Sequence, residues 1–275
     1  MEMMNRNEYS SITTEINKNA VGRRPNIEVI ETLSYGGIKV DILEYQRLLG
    51  AVSSGQAHAL WYMNEMNVRP RQLAIYIEND SARLQAGAMS YFQGPLEMVS
   101  DVTLGNMVGK FFKGAVTGES MSQPLYTGSG LVVCEPTFKH LVPFVLNQGE
   151  SIIVDKGLFY MSSKSVNIQA VMQKNLSSGL LGREGWFQIG MTGPGLVVLE
   201  LDVPFSEVEI LHMNNDILRV DGNFALLRSG NIDFTVERSA KTLAGSAASG
   251  EGLVNVYRGT GEVWLAPSLK IYPML

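Results

Sequence analysis

One short glycine pattern occurs three times in this chain at nearly equal spacing. The sequence TGSGLVV at Thr127–Val133 returns as TGPGLVV at Thr192–Val198 and as RGTGEVW at Arg258–Trp264. Regular self-similarity of this kind is typical of a protein built from several copies of one supersecondary unit. Because the residues beside the glycines are apolar and β-branched, the unit is predicted to consist of β-strands. The repeat therefore predicts an all-β molecule of three pseudo-symmetric β-sandwich units, with short helices between strands.

Two further landmarks precede each Gly-x-Gly pattern in the same order. A glycine and a glutamate lie shortly upstream, at Gly118 and Glu119, at Gly182 and Glu184, and at Gly250 and Glu251. Before these pairs, an apolar strand ends at a glycine that a large apolar residue follows, at Gly87, Gly157 and Gly222. The constant order predicts units at about residues 71–137, 138–204 and 205–270. We expect the three glutamates to bind turn amides or a neighbouring cation, because acid–base catalysis needs carboxylates with different environments.

The repeated glycines are interpreted as structural. Glycine is required where the backbone takes a positive φ or approaches another strand closely. A dinucleotide-binding fingerprint would need a helix after the pattern and a third glycine, and neither is present. The predicted structural turns are Gly87, Gly128, Gly130, Gly157, Gly193, Gly195, Gly222, Gly259 and Gly261.

The chain outside the repeat divides into a tail and an entry region. Residues 1–26 are polar and lack periodic apolar positions, so we predict a mobile tail before a single domain at residues 27–275. Alternating apolar residues predict entry strands within residues 27–70, with an insertion or short helix at residues 50–70. Inside each unit, polar residues predict a turn between two strands, at Asn79 and Asp80, at Asn147–Gly149 and at Asn214–Asp216.

Composition argues against nucleic acid as a partner. The chain has 22 basic and 27 acidic residues, a net charge of −5, and its basic residues are scattered. Proteins that bind nucleic acid usually carry a basic patch, because phosphate contacts supply much of the affinity. We therefore consider nucleic-acid binding an unfavoured interpretation.

The single cysteine and the absence of long apolar runs indicate the compartment. Cys134 lies in the apolar strand LVVCEP, which predicts a buried, unreactive thiol, and one cysteine cannot form a disulfide within the chain. The N-terminal residues lack the apolar core of a signal peptide, and no run of 18 apolar residues exists. We expect a soluble protein of the bacterial cytoplasm.

No set of side chains predicts catalysis, a metal site or a cofactor. The histidines His58, His140 and His212 fall at unequal positions of the repeat and have no metal-ligand spacing. We therefore predict that the protein is not an enzyme and binds neither metal nor cofactor.

One amphipathic segment lies outside the repeat. In DVTLGNMVGKFFKGAV at residues 101–116, apolar residues recur at helical spacing and the lysines lie on the other face. Its aromatic residues Phe111 and Phe112 are the candidate interface. They either cover one end of the sandwich or contact another subunit, a protein partner or a membrane surface.

Several of these motifs carry a resemblance to a known family. GAM at Gly87–Met89, GES at Gly118–Ser120, GLF at Gly157–Phe159 and the closing EGLVNVYRGTGEVWLAP resemble the family named for altered inheritance of mitochondria, protein 24. The resemblance covers about Ile38 to Ile271. It implies a fold similar to the tryptophan RNA-binding attenuation protein, a shortened double-stranded β-helix whose members assemble into rings. It implies no catalytic residue.

The resemblance and the repeat together give the functional expectation. We predict a non-catalytic, homo-oligomeric binding or scaffold protein, with a trimer as one arrangement in which three units per chain would imitate a nine-unit ring. The alternative is a ring-forming binder of RNA or a small ligand, like the attenuation protein, and an enzyme of unknown type is third.

Overall fold

Strands dominate the computed structural model, which describes residues 26–99, 123–172, 187–221, 224–238 and 253–272. The predicted all-β class is confirmed, since this part of the chain contains sixteen strands and one α-helix, α1 (Ser54–Glu65). The strands are β1 (Ile27–Tyr35), β2 (Ile38–Tyr45), β3 (Arg71–Leu84), β4 (Met89–Gln93), β5 (Leu96–Val99), β6 (Leu125–Cys134), β7 (His140–Leu146), β8 (Ser151–Asp155), β9 (Phe159–Ser163), β10 (Asn167–Met172), β11 (Phe187–Thr192), β12 (Gly195–Leu201), β13 (Glu209–Asp221), β14 (Ala225–Ser229), β15 (Asn231–Arg238) and β16 (Leu253–Leu265). Short 3₁₀ turns lie at Lys156–Leu158, Phe205–Glu207 and Pro267–Lys270.

The strands form two antiparallel sheets. The first has the order β1-β2-β3-β9-β12-β7, and β6 pairs with β3 while carrying β4 and β5 on its other side. The second has the order β10-β11-β8-β14-β16-β13, with β15 also paired to β16. The middle of the chain contributes to both sheets, because β7, β9 and β12 lie in the first and β8, β10 and β11 in the second.

One pairing scheme occurs three times along the chain. In the first segment, β3 pairs with β6, which also pairs with β4 and β5. In the third, β13 pairs with β16, which also pairs with β14 and β15. In the middle segment, β7 pairs with β12, which also pairs with β9. There β8 pairs with β11, which also pairs with β10. The recurrence of the pairings agrees with the sequence repeat, and superposition of the segments as equivalent units stays a prediction.

The apolar positions of these strands build the cores. A cluster within the first sheet contains Ile38, Leu73, Val132, Met161 and Leu196, all at most 1% exposed. A second cluster joins the two sheets and contains residues from strands of the middle and third segments. Its members include Leu146, Val154, Leu199 and Leu227. Since burial of each such side chain stabilises the fold by about 1.5–3 kcal/mol, these clusters hold the sheets together.

The predicted polar turn is present in one segment and wrong in the other two. Only Asn147–Gly149 separates two strands, β7 and β8, whereas β3 and β13 run through their polar residues without a break. Asn79 and Asn215 each adopt a φ of 50° at a β-bulge. Their backbone N–H groups donate to Ser129 Oγ at 3.0 Å and Thr260 Oγ1 at 2.9 Å. The bulge bends the strand while its pairing continues on both sides, so a local turn signal does not end the element.

The entry region agrees with expectation. β1 and β2 form the predicted strands, and the insertion contains α1, whose N-cap Ser53 accepts a hydrogen bond from Gln56 N–H at 3.3 Å. No residue of α1 is buried. The predicted tail, apart from its last residue, lies outside the described residues.

Candidate functional site

The Gly-x-Gly residues lie where two backbones approach closely. Gly128 and Gly259 have φ values of 129° and 136°, and a Cβ there would lie 2.2 Å from Pro95 O and 2.0 Å from Asn231 O. A Cβ on Gly130, Gly193, Gly195 or Gly261 would likewise come within 2.1–2.5 Å of a neighbouring atom. Gly128 and Gly259 let a short segment approach a long strand closely, whereas Gly193 lies against Leu146 and Asn147 at the turn between β7 and β8. The role of these glycines is to leave room for the neighbouring backbone.

The remaining glycines differ from this pattern. Gly87 has a φ of 81° in the turn between β3 and β4, so its conformation favours glycine although the space around it is open. Gly157 lies in a 3₁₀ turn in open space, where the backbone does not require glycine. Gly222 lies outside the described residues, as do Gly118, Glu119, Gly182, Glu184, Gly250, Glu251, Phe111 and Phe112.

The histidines and the cysteine do not converge. His58 lies on α1, His140 begins β7, and His212 lies on β13 with its Nδ1 3.1 Å from Glu262 Oε1. Burial, with the nearby charge of Arg71, lowers the pKa of His140. Cys134 is fully buried, and burial raises the pKa of its thiol to about 12. Across the described ranges, no three His, Cys, Asp or Glu residues are grouped to hold a metal ion.

One buried polar network was not predicted from the sequence. Arg228 Nη1 donates to Gln188 Oε1 at 2.7 Å, and Gln188 Nε2 donates to Asp155 Oδ1 at 2.8 Å. The Arg228 guanidinium also lies 5.2 Å from the centre of the Phe234 ring. Burial lowers the pKa of Arg228 and raises that of Asp155. The network crosses β8, β11 and β14, and its two hydrogen bonds join the three strands, whereas the buried Arg228 Nε has no hydrogen-bond partner among the described residues.

Among the outer strands of the described residues, β4 and β13 each leave one side free. Along the described residues, β4 pairs only with β6 and β13 only with β16. We call Tyr91–Gln93 the β4 edge and Leu218–Val220 the β13 edge. Tyr91 and Phe92 are 39% and 40% exposed, and Ile217 beside the β13 edge is 48% exposed. Exposed aromatic and β-branched side chains on an unpaired strand form a surface suited to contact with another strand.

Sequence analysis did not identify these edges. The repeat itself holds the signal, because the first and last copies of any linear repeat lack a neighbour on one side. Which strand is left without that neighbour depends on the pairing between segments, and this becomes visible only in the fold.

A second apolar surface surrounds α1. Val52 is 87% exposed and Trp61 56%, and Leu49, Tyr62 and Met66 are exposed as well. No residue of the helix is buried. Trp61 and Tyr62 of the helix, and Leu49, Val52 and Met66 beside it, are exposed to solvent. Among the helices in the described ranges, none has the length and apolar character needed to cross a membrane.

Comparison with known proteins gives consistent results. A family model described as mitochondrial biogenesis AIM24 matches residues 66–268. An uncharacterised protein of Streptococcus pyogenes serotype M6 is 26% identical over 193 residues, covering 67% of this chain and 76% of that protein. An X-ray structure of a Streptococcus pyogenes protein from a structural genomics programme superimposes with a TM-score of 0.53 at 23% identity, covering 74% of this chain and 94% of that chain. The structural match shows a shared fold, and similarity to the attenuation protein stays a prediction.

Proposed function

This chain belongs to the mitochondrial biogenesis AIM24 family, and from that premise we propose that it is a homo-oligomeric binding or scaffold protein. Its relative from Streptococcus pyogenes is itself uncharacterised. The proposal includes a non-catalytic role in the bacterial cytoplasm.

The observation that carries the proposal is the pair of free strand edges. An unpaired strand presents a row of N–H and C=O groups that can add another strand, and proteins that stay monomeric usually protect such edges with charges, prolines or covering loops. The β4 edge instead presents Tyr91 and Phe92, both substantially exposed. A partner strand would bury these rings and pair the backbone in one step.

The basic side chains do not favour the RNA-binding alternative. Arg69 and Arg71 lie 3.3 Å and 2.9 Å from Glu44 carboxylate oxygens. Lys139 lies 3.5 Å from Glu200 and 3.3 Å from Asp202, and Arg258 lies 2.6 Å from Glu237. Pairing with carboxylates leaves these cations with little net positive field for phosphates. A small-ligand binder and a protein or membrane-surface partner stay alternatives to self-association alone.

Size-exclusion chromatography with light scattering tests the proposal directly. At micromolar concentration the purified chain is expected to have a molar mass that is a multiple of 30.2 kDa. The mass should decrease on dilution if the copies exchange, since association follows mass action. A single species of 30.2 kDa across the concentration range would contradict self-association.

A further inference from the structure

Two junctions inside the chain pair strands of successive segments. At the first junction the end of β3 pairs with β9, and at the second β8 pairs with β14. The register at the first is Ala82↔Ser163, Arg83↔Ser162 and Leu84↔Met161. The register at the second is Ile152↔Ser229, Ile153↔Arg228 and Val154↔Leu227. At the first junction the end of the long strand β3 pairs with the first short strand of the next segment. At the second, β8, a strand of 5 residues, pairs with the first short strand of the segment that follows.

The β13 edge corresponds to the part of β3 used at the first junction. Asn79 and Asn215 share a φ of 50°. The aspartate after each accepts a hydrogen bond from the next N–H at 2.7 Å, through Asp80 Oδ1 and Asp216 Oδ1. Counting on from this shared geometry, Leu218–Val220 correspond to Ala82–Leu84.

The β4 edge corresponds to the strands on the other side of each junction. Phe92 pairs with Val132, Ser162 with Val197 and Arg228 with Val263. Each of these valines is the second residue after a Gly-x-Gly pattern. Phe92 therefore corresponds to Ser162 and Arg228, the central residues of the two internal junctions.

We propose that the β13 edge of one copy pairs antiparallel with the β4 edge of a second copy, in the register Leu218↔Gln93, Arg219↔Phe92 and Val220↔Tyr91. The proposal rests on the self-association proposed above and names its surfaces. The contact repeats between chains the pairing that already joins the segments within one chain.

The side chains fit this register. The third pair of each internal junction is apolar and buried, at Leu84–Met161 and Val154–Leu227. Val220–Tyr91 would be apolar as well, and pairing would bury the exposed Tyr91 ring. Arg219 would lie opposite Phe92, where a guanidinium over an aromatic ring contributes about 0.5–2 kcal/mol.

The contacts of Arg83 provide a template for Arg219. Arg83 Nη1 donates to the carbonyl oxygens of Lys164 and Val166, each at 3.2 Å, just after β9. The residues at the same distance after β4 are Gly94 and Leu96. Arg219 is therefore expected to donate to the Gly94 and Leu96 carbonyls of the neighbouring copy.

The backbone of the β13 edge has the required orientation. At the first junction, Lys164 N–H donates to Ser81 O at 2.9 Å and Gln85 N–H donates to Tyr160 O at 2.8 Å. Backbone groups alternate in direction along a strand, so Arg83, between these two, also faces β9. By correspondence, the N–H and C=O of Arg219 face the free side of β13.

The free sides of the other outer strands do not correspond to a strand side that is paired at an internal junction. Within the described residues, β1 pairs only with β2 and β7 only with β12, and neither strand takes part in an internal junction. The short strands β5, β10 and β15 each pair only with a strand of their own segment. These three short strands occupy the same place in the pairing scheme, and neither internal junction uses them. Only the β4 and β13 edges correspond to strands that are paired at the internal junctions. Because the two edges are different surfaces, the contact is head-to-tail and leads to a ring or an open filament.

Cysteine cross-linking tests the register. One chain carries Arg219→Cys, a second carries Phe92→Cys, and their mixture is oxidised mildly with copper phenanthroline. The native Cys134 is fully buried and serves as an internal background. Directly opposed residues lie close enough for a disulfide, so a covalent dimer is expected only in the mixture. Leu218→Cys mixed with Gln93→Cys is a second pair for which the same product is expected.

The controls separate the competing arrangements. Mixing Arg219→Cys with Tyr91→Cys should give at least tenfold less dimer, because neighbouring strand residues point to opposite faces. Cross-linking of either variant alone would indicate a two-fold contact and overturn the proposal. Absence of dimer from both opposed pairs, with a wild-type mass above 30.2 kDa, would overturn this register and leave self-association standing. A monomeric wild type would overturn both.

Discussion

The repeated Gly-x-Gly residues are glycine because a neighbouring strand leaves no room for a Cβ atom, and not because a reactive side chain is needed nearby. Gly259 combines a left-handed φ of 136° with a position where a Cβ would lie 2.0 Å from Asn231 O. The obstacle is a backbone atom of a paired strand, so it cannot move without disturbing the pairing of β15 with β16. Conformation and contact therefore both select glycine at this residue.

We predict that Gly259→Ala lowers the free energy of unfolding by about 3 kcal/mol or more, from φ strain and the clash together. The matched control is Gly157→Ala, where nothing lies within 4 Å of the added Cβ. There the change is expected to be within about 1 kcal/mol and can be stabilising, since alanine has fewer unfolded conformations. Urea denaturation of both variants measures the difference. Equal effects at the two sites would refute the structural explanation.

Sequence could predict that glycines are structural but not which of them are required. The Gly-x-Gly pattern between apolar residues indicates close strand approach, and Gly128 and Gly259 have it. Gly157 belongs to an equally regular sequence landmark but lies in open space. The requirement depends on which strand crosses the glycine, and this is decided by pairing between residues distant in sequence.

At the scale of elements, strands follow the sequence pattern more faithfully than turns do. Alternation predicted β1 and β2, and the strand–turn–strand pattern of the first unit predicted the two halves of β3. The turn signal at Asn79 and Asp80 was overridden, because β6 pairs with β3 on both sides of the bulge. Arg228 was not predicted as a buried residue, since its burial depends on Gln188 and Asp155 from two other strands.

The helix α1 is held by local interactions and not by packing. Ser53 caps its first turn, and no residue of the helix is buried. We predict that Ser53→Ala destabilises α1 by about 1 kcal/mol, the usual loss for an N-cap. Amide hydrogen exchange should become faster within residues 54–65, while the melting temperature of the sheets stays unchanged. A fall in that melting temperature would mean that α1 supports the sheets, contrary to its exposure.

At the scale of the whole molecule, the repeat predicts the class of fold and the sheets reveal where the repeat ends. The repeated pattern in the sequence indicates that similar segments follow one another along the chain. The pairings of β3 with β9 and of β8 with β14, which join successive segments, agree with that order. The strands that would continue the series are β13 in the third segment and β4 in the first. In the proposed assembly these strands meet between copies, and Phe92 and Ile217 on them are exposed in the single chain.

Sedimentation velocity of Arg219→Pro tests the central claim most directly. By correspondence with Arg83, the Arg219 N–H is expected to face the free side of β13 and not β16, and proline removes this N–H. Arg219→Ala is the matched control, since it removes the guanidinium and keeps the N–H. We predict that the proline variant sediments as a folded 30.2 kDa monomer, whereas the alanine variant still assembles with weaker affinity. A folded proline variant that assembles as the wild type does would contradict pairing through the β13 edge.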